Sequence, residues 1–188
     1  GMTKESGNPT DPYVRFARTA VHAWVRERKK IDWVEYAAEN EVDPAFSERM
    51  TGPGCGAFVS LHRQGLLRGC IGTIEPVRST LAEELASNAV SACSRDPRFP
   101  PVLPDELENL SIKVDLLQPP VPYEGAIDWD VRRFGVVVAG RGGRRGILLP
   151  DLEGVDHAHD QLDIATQKAG LRGSEVERIW LFEVSRHS

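Results

Sequence analysis

The sequence predicts an α+β fold made mostly of antiparallel sheet. Three observations carry this. Apolar, strand-type runs come in pairs around short turns, at 57–62 with 66–74 and at 135–139 with 146–149. Segments with helical spacing and readable caps lie around these pairs. The regular strand–helix alternation of a doubly wound parallel sheet is missing.

The elements follow in chain order. Residues 1–10 are polar and read as a loose or tag-derived start, with Gly1 before Met2 as a remnant of expression. Asp11 then Pro12 is a helix N-cap followed by proline at the first helical position. Val14, Ala17, Val21, Trp24 and Val25 then recur every three or four residues, one apolar stripe. Asp32 caps a second, short helix, and Pro44 is expected to end that region. Residues 51–56 are breaker-rich and read as a turn, since no P-loop lysine follows.

The paired strands 57–62 and 66–74 meet at Arg63, Gln64 and Gly65, a three-residue turn. Thr80 and Glu83 have capping-box spacing and open a helix rich in alanine. Asp96-Pro97-Arg98-Phe99-Pro100-Pro101 stops it. Residues 105–110 make one helical turn, and Ile112, Val114 and Leu116 alternate with polar residues in a strand. Pro119, Pro120 and Pro122 form an extended connection, the best candidate for a boundary between lobes. The second hairpin carries Arg141, Arg144 and Arg145 at its tip. Asp156 is expected to cap a helix over 157–169 with Gly170 after it, and 176–184 reads as one buried strand.

Composition narrows function. A net charge of −5 argues against a dedicated nucleic-acid binder. No apolar run reaches the ~18 residues of a membrane span, and the start lacks the apolar centre of a signal peptide. The three cysteines, Cys55, Cys70 and Cys93, are scattered and odd in number. They fit neither a disulfide framework nor a zinc knuckle, and a reducing cytoplasm is expected.

Four groups of residues could carry chemistry. Cys70 stands in Leu67-Arg68-Gly69-Cys70-Ile71-Gly72-Thr73, a thiol among glycines inside an apolar run. A buried cysteine is ordinarily a small hydrophobe. Arg68, two residues away on a strand, would share its face at roughly 6–7 Å and favour the thiolate. Gly69 and Gly72 would let a ligand approach the backbone. His62 is excluded as a base, because the three-residue turn places it roughly 13 Å away and puts Phe58 opposite Cys70.

Asp96-Pro97-Arg98-Phe99 is either a helix stop or an anion clamp built on the Arg98 guanidinium. Asp156, His157, His159, Asp160 and Asp163 resemble a metal set in composition only. On a helix His157 and His159 would point to nearly opposite sides, so no metal is expected. The arginine turn is most simply solvated, with RNA contact as the minor reading. The candidate site is therefore Cys70 as the reactive thiol, with Arg68, Gly69, Gly72, Thr73, Asp96, Arg98 and Phe99 as binding residues.

The hexapeptide at 67–72 resembles the signature of the AMME syndrome candidate gene one protein family, called AmmeMemoRadiSam system protein A in prokaryotes. The resemblance extends through Phe58 to Leu61, Asp96 to Phe99, Leu110 to Val114, Gly146 to Pro150 and Lys168 to Leu171. It spans roughly residues 12 to 184. The sequence departs from it in two places: Ala165, Thr166 and Gln167 stand where the family often has a cysteine, and Val155 where it tends to have an aromatic residue. The resemblance implies two unequal lobes of antiparallel sheet with flanking helices, and the hexapeptide in the cleft between them. It implies a Memo-like protein and a radical-SAM protein as partners. Two functions are consistent with it: a small-molecule-binding, thiol-dependent protein taking an anionic ligand, or a non-catalytic adaptor module. No cofactor is specified.

Overall fold

Residues 9–188 are described by the structure, a computed structural model. The expectation for the start of the chain concerns chiefly residues 1–8, which lie outside the described residues. The chain divides into two compact units. One runs to Leu116 and takes in Arg186–Ser188, and the other is Leu117–Ser185.

The first unit begins with α1, Pro12–Glu27, where Asp11 accepts the amides of Tyr13 and Val14 and Pro12 occupies the first turn. Its Val14, Ala17, Val21 and Val25 are buried. α2, Trp33–Asn40, is capped by Asp32. Pro44 opens a helix rather than ending one: α3 is Pro44–Thr51, capped by Asp43. The Asp-Pro pair works here as it does at residue 11, because the first turn has no intrahelical partner for an N–H and proline offers none.

β1, Ala57–Arg63, and β2, Leu66–Thr73, form a hairpin whose turn is shorter than the sequence implied. Only Gln64 and Gly65 form it, both left-handed with φ of 52° and 76°. That is the backbone of the two-residue turn that matches strand twist. A bulge follows, because Leu61 pairs with Gly69 and His62 with Leu67, leaving Arg68 as the extra residue. The register therefore shifts, and Cys70 lies opposite Ser60 while Phe58 lies opposite Gly72.

α4, Leu81–Ser94, is capped by Thr80, whose Oγ1 accepts the Glu83 amide at 3.2 Å. It packs on β1 and β2, with β3, Leu110–Leu117, paired on the other side of β1. With β8, Val184–His187, the sheet order is β2-β1-β3-β8, and β2 is an edge. Ala57, Val59, Leu61, Ile112 and Val114 meet the helices in one core. Alternation along the strands puts Phe58, Ser60 and Cys70 on the opposite face.

The second unit contains β4, Val121–Pro122, β5, Gly135–Gly140, β6, Arg145–Leu148, and β7, Val176–Phe182, in the order β4-β7-β5-β6. α5, Ala158–Lys168, packs on β5 and β6. Gln161 is buried there, accepting the Trp129 indole N–H at 2.7 Å and donating to the Phe134 carbonyl at 2.8 Å. Two expectations are corrected. Residues 176–184 are not one strand, since the chain leaves one sheet at Phe182 and enters the other at Val184. His157, not Asp156, holds the N-cap position of α5, with no side-chain bond. His157 is thus extended, and its ring stacks on that of His159 at 5.5 Å rather than pointing away. All the strand pairings described are antiparallel, as the α+β class requires.

Candidate functional site

The site is assembled on the exposed margin of β2. Asp96, two residues beyond the end of α4, is 4% exposed. Its Oδ2 accepts the Cys70 amide at 2.9 Å, and its Oδ1 accepts the Arg98 amide at 3.0 Å. The Arg98 guanidinium closes the same carboxylate, with Nε 3.1 Å from Oδ1 and Nη2 2.8 Å from Oδ2. Nη2 also donates to the Cys70 carbonyl at 3.3 Å. The outward N–H and C=O of Cys70, which a neighbouring strand would otherwise take, are occupied by one aspartate and one arginine. Pro97 between them holds the turn.

This explains the thiol's position. Since its main-chain groups face outward, Cys70 forms a non-hydrogen-bonded pair with Ser60, the kind in which side chains stand closest. Sγ lies 3.2 Å from the buried Ser60 Oγ. Phe58 covers Gly72: a Cβ there would meet the ring at 2.2 Å. Burial pushes the Cys70 thiol above its ordinary pKa. The Ser60 hydrogen bond and the Arg98 charge oppose this, and Asp115 and Asp96 reinforce it. The thiolate expected from a nearby arginine is therefore not the resting form, because desolvation outweighs the cation.

Arg98 makes the carboxylate more acidic, holding Asp96 down at about 2. Its own side chain is 56% exposed, and its carbon lies 5.4 Å from the Phe99 ring centroid. Among the described residues, Nη1 has no hydrogen-bond partner.

The other sequence candidates go elsewhere. Arg68 clamps Glu106, with Nε at 2.9 Å and Nη2 at 3.0 Å, and donates to the Pro100 and Pro101 carbonyls. Arg63 joins the same carboxylate at 3.2 Å. Arg68 thus ties the hairpin to residues 100–106, and the positive charge that acts on Cys70 is that of Arg98. Thr73 donates to the buried Glu84 at 2.6 Å. The space beside Gly69 is filled by the chain itself, since a Cβ there would meet the Ala92 carbonyl oxygen at 2.3 Å.

Sequence reasoning missed Ser60 and Glu106. Ser60 is readable only with the two-residue turn, for which Gly65 alone is a signal. His62 also stands nearer than expected, two positions from Ser60 on the same face and so diagonal to Cys70, roughly 7–8 Å between backbones. Among the described residues, no group of three or more His, Cys, Asp or Glu is placed to hold a metal ion. No helix among them is long and apolar enough to cross a membrane.

The AMMECR1 family model matches residues 14–187. The chain belongs to the AMMECR1 family. A Thermotoga maritima AMMECR1 relative is 44% identical over 179 residues, covering 94% of this chain and 97% of that one. A Clostridium acetobutylicum relative is 40% identical over 94% of this chain, which spans only 36% of that longer protein. The crystal structure of an uncharacterised Pyrococcus horikoshii protein superposes with a TM-score of 0.77 at 28% identity, covering 98% of this chain and 92% of that one. Residues 67–72 lie within β2 and carry Cys70, on which the candidate site is built.

Proposed function

We propose that the protein binds a small anionic ligand at Arg98, with the Cys70 thiol beside it as a latent nucleophile. The reading rests on one observation: Asp96 fixes the Cys70 main chain and the Arg98 fork together, while Nη1 of Arg98 has no partner among the described residues and the side chain is exposed. A guanidinium held by one edge still offers donors from the other. The protonated thiol suits a site that is silent until an anionic group displaces water and a base arrives with the ligand or a partner. We further propose a Memo-like protein and a radical-SAM protein as those partners, on the family resemblance.

The test uses a pair of alkylating reagents of opposite character. Iodoacetate carries a carboxylate and iodoacetamide does not, and mass spectrometry reads Cys70 separately from Cys55 and Cys93. The rate ratio, iodoacetate over iodoacetamide, should exceed that of a free cysteine peptide by roughly fivefold, worth about 1 kcal/mol of attraction. Arg98→Gln should return it to the peptide value. Any pKa change of Cys70 cancels in the ratio. A wild-type ratio equal to that of the variant ends the anion-site reading.

A second reading is favoured by Leu66, Val77 and Leu103, large apolar side chains that are exposed. In it the domain is a non-catalytic interaction module and Cys70 only packs. Cys70→Ser with unchanged partner binding and unchanged biological activity would favour it.

A further inference from the structure

We propose that a pocket on the flank of α4 is a separate binding site for a small anion with an apolar body. Its wall on the helix is Glu83, Ala86, Ser87 and Val90, spaced three and four apart on one face. Lys30 and Ile31 from the α1–α2 connection, Arg78 from the β2–α4 connection, and Arg95 at the end of α4 complete it. The cavity is about 330 Å³, within the size range of small-molecule sites.

The floor is apolar: Val90 is buried, and Ile31 and Ala86 are half-buried. The rim is cationic. Three positive side chains face one carboxylate, in a chain whose net charge is −5. The carboxylate is already engaged, since Glu83 accepts the Ser79 amide at 3.2 Å. Arg78 reaches Ser87 Oγ at 3.4 Å, and none of Lys30, Arg78 and Arg95 is in an ion pair among the described residues. Unpaired cations gathered around hydrocarbon select against neutral apolar molecules, which leave the charges unanswered, and against bare ions, which leave the floor wet. An aromatic or short-chain carboxylate, sulfonate or phosphate monoester answers both. The wall is also rigid, because the opposite side of α4 is pressed on β2 at Gly69, so little ordering opposes binding.

The test is a two-dimensional amide NMR titration with three probes: 2-naphthoate, the neutral 2-naphthalenemethanol and inorganic phosphate. Naphthoate should shift the amides of Ile31, Ala86, Ser87, Val90 and Arg95, with the alcohol and phosphate at least roughly tenfold weaker. The double variant Arg78→Gln, Arg95→Gln should weaken naphthoate roughly tenfold or more, about fivefold for each exposed charge. Arg141→Gln, Arg144→Gln, which removes the same charge elsewhere, should leave it unchanged. Equal binding of acid and alcohol overturns the proposal, as does equal binding of phosphate. Shifts confined to Cys70 and Phe99 also overturn it, and would report the Arg98 site instead.

Discussion

Replacing Asp96 by asparagine removes one negative charge from a buried position that serves four donors: the amides of Cys70 and Arg98, and two nitrogens of the Arg98 guanidinium. The magnitude follows from linkage. Arg98 and the two amides hold the carboxyl at about 2 when folded, against ~3.9 for an aspartate in an unfolded chain. A difference of nearly two pH units is worth about 2.5 kcal/mol, and the exposure of Arg98 to solvent reduces it to about 2 kcal/mol. The sign is that of a depressed acid. The stabilisation is complete above pH ~4 and is lost as pH falls through the folded value near 2. Asp96→Asn should therefore be about 2 kcal/mol less stable than wild type in urea at pH 7, with the gap closing below pH ~3. The Cys70 amide supplies a local probe, since its hydrogen exchange should accelerate in the variant at neutral pH. A gap as large at pH 2 as at pH 7, or none at either, refutes the assignment of this carboxylate as an ionised anchor.

Three further outcomes are expected. Alkylation of Cys70 by a neutral reagent should rise at a higher pH than that of a free cysteine peptide, and at a higher pH again in Arg98→Gln and Ser60→Ala, because both lost groups favour the thiolate. Gly69→Ala and Gly72→Ala should each cost roughly 2–4 kcal/mol in chemical denaturation, since the new methyl meets a helix carbonyl in one and the Phe58 ring in the other. Gly173→Ala, with nothing near its missing side chain, is the neutral control. Gln161→Leu should destabilise the second unit by roughly 2–4 kcal/mol, seen as faster exchange around Trp129 and Phe134, because it strands a half-buried indole N–H and a buried carbonyl together.

Local chemistry was legible in the sequence where one residue type has one reason to be there. Asp11-Pro12 and Thr80 with Glu83 marked helix starts correctly. Asp43-Pro44 carries the same mark, but proline also ends helices, and the local context favours that reading. The strands were legible, but not their pairing. Register depends on the turn backbone, and Gln64 takes a left-handed conformation that its side chain does not announce. That one-residue difference hid Ser60 from the site. The glycines around Cys70 do signal close approach, but the sequence does not say what approaches. What comes close is α4 and Phe58, which belong to distant parts of the same unit. Asp96 and Arg98 were found as a segment, while their contact with Cys70 is long-range and invisible to spacing.

The aspartate and arginine on Cys70 also occupy the place where another molecule's backbone could add to the sheet. An uncovered strand border invites addition of that kind. The chain thus uses one carboxylate both to keep company away and to fix the heading of a sulfur atom. Acid, or a neutral residue at 96, would release both restraints together. Self-association and altered sulfur reactivity should then emerge in the same sample, at the same pH.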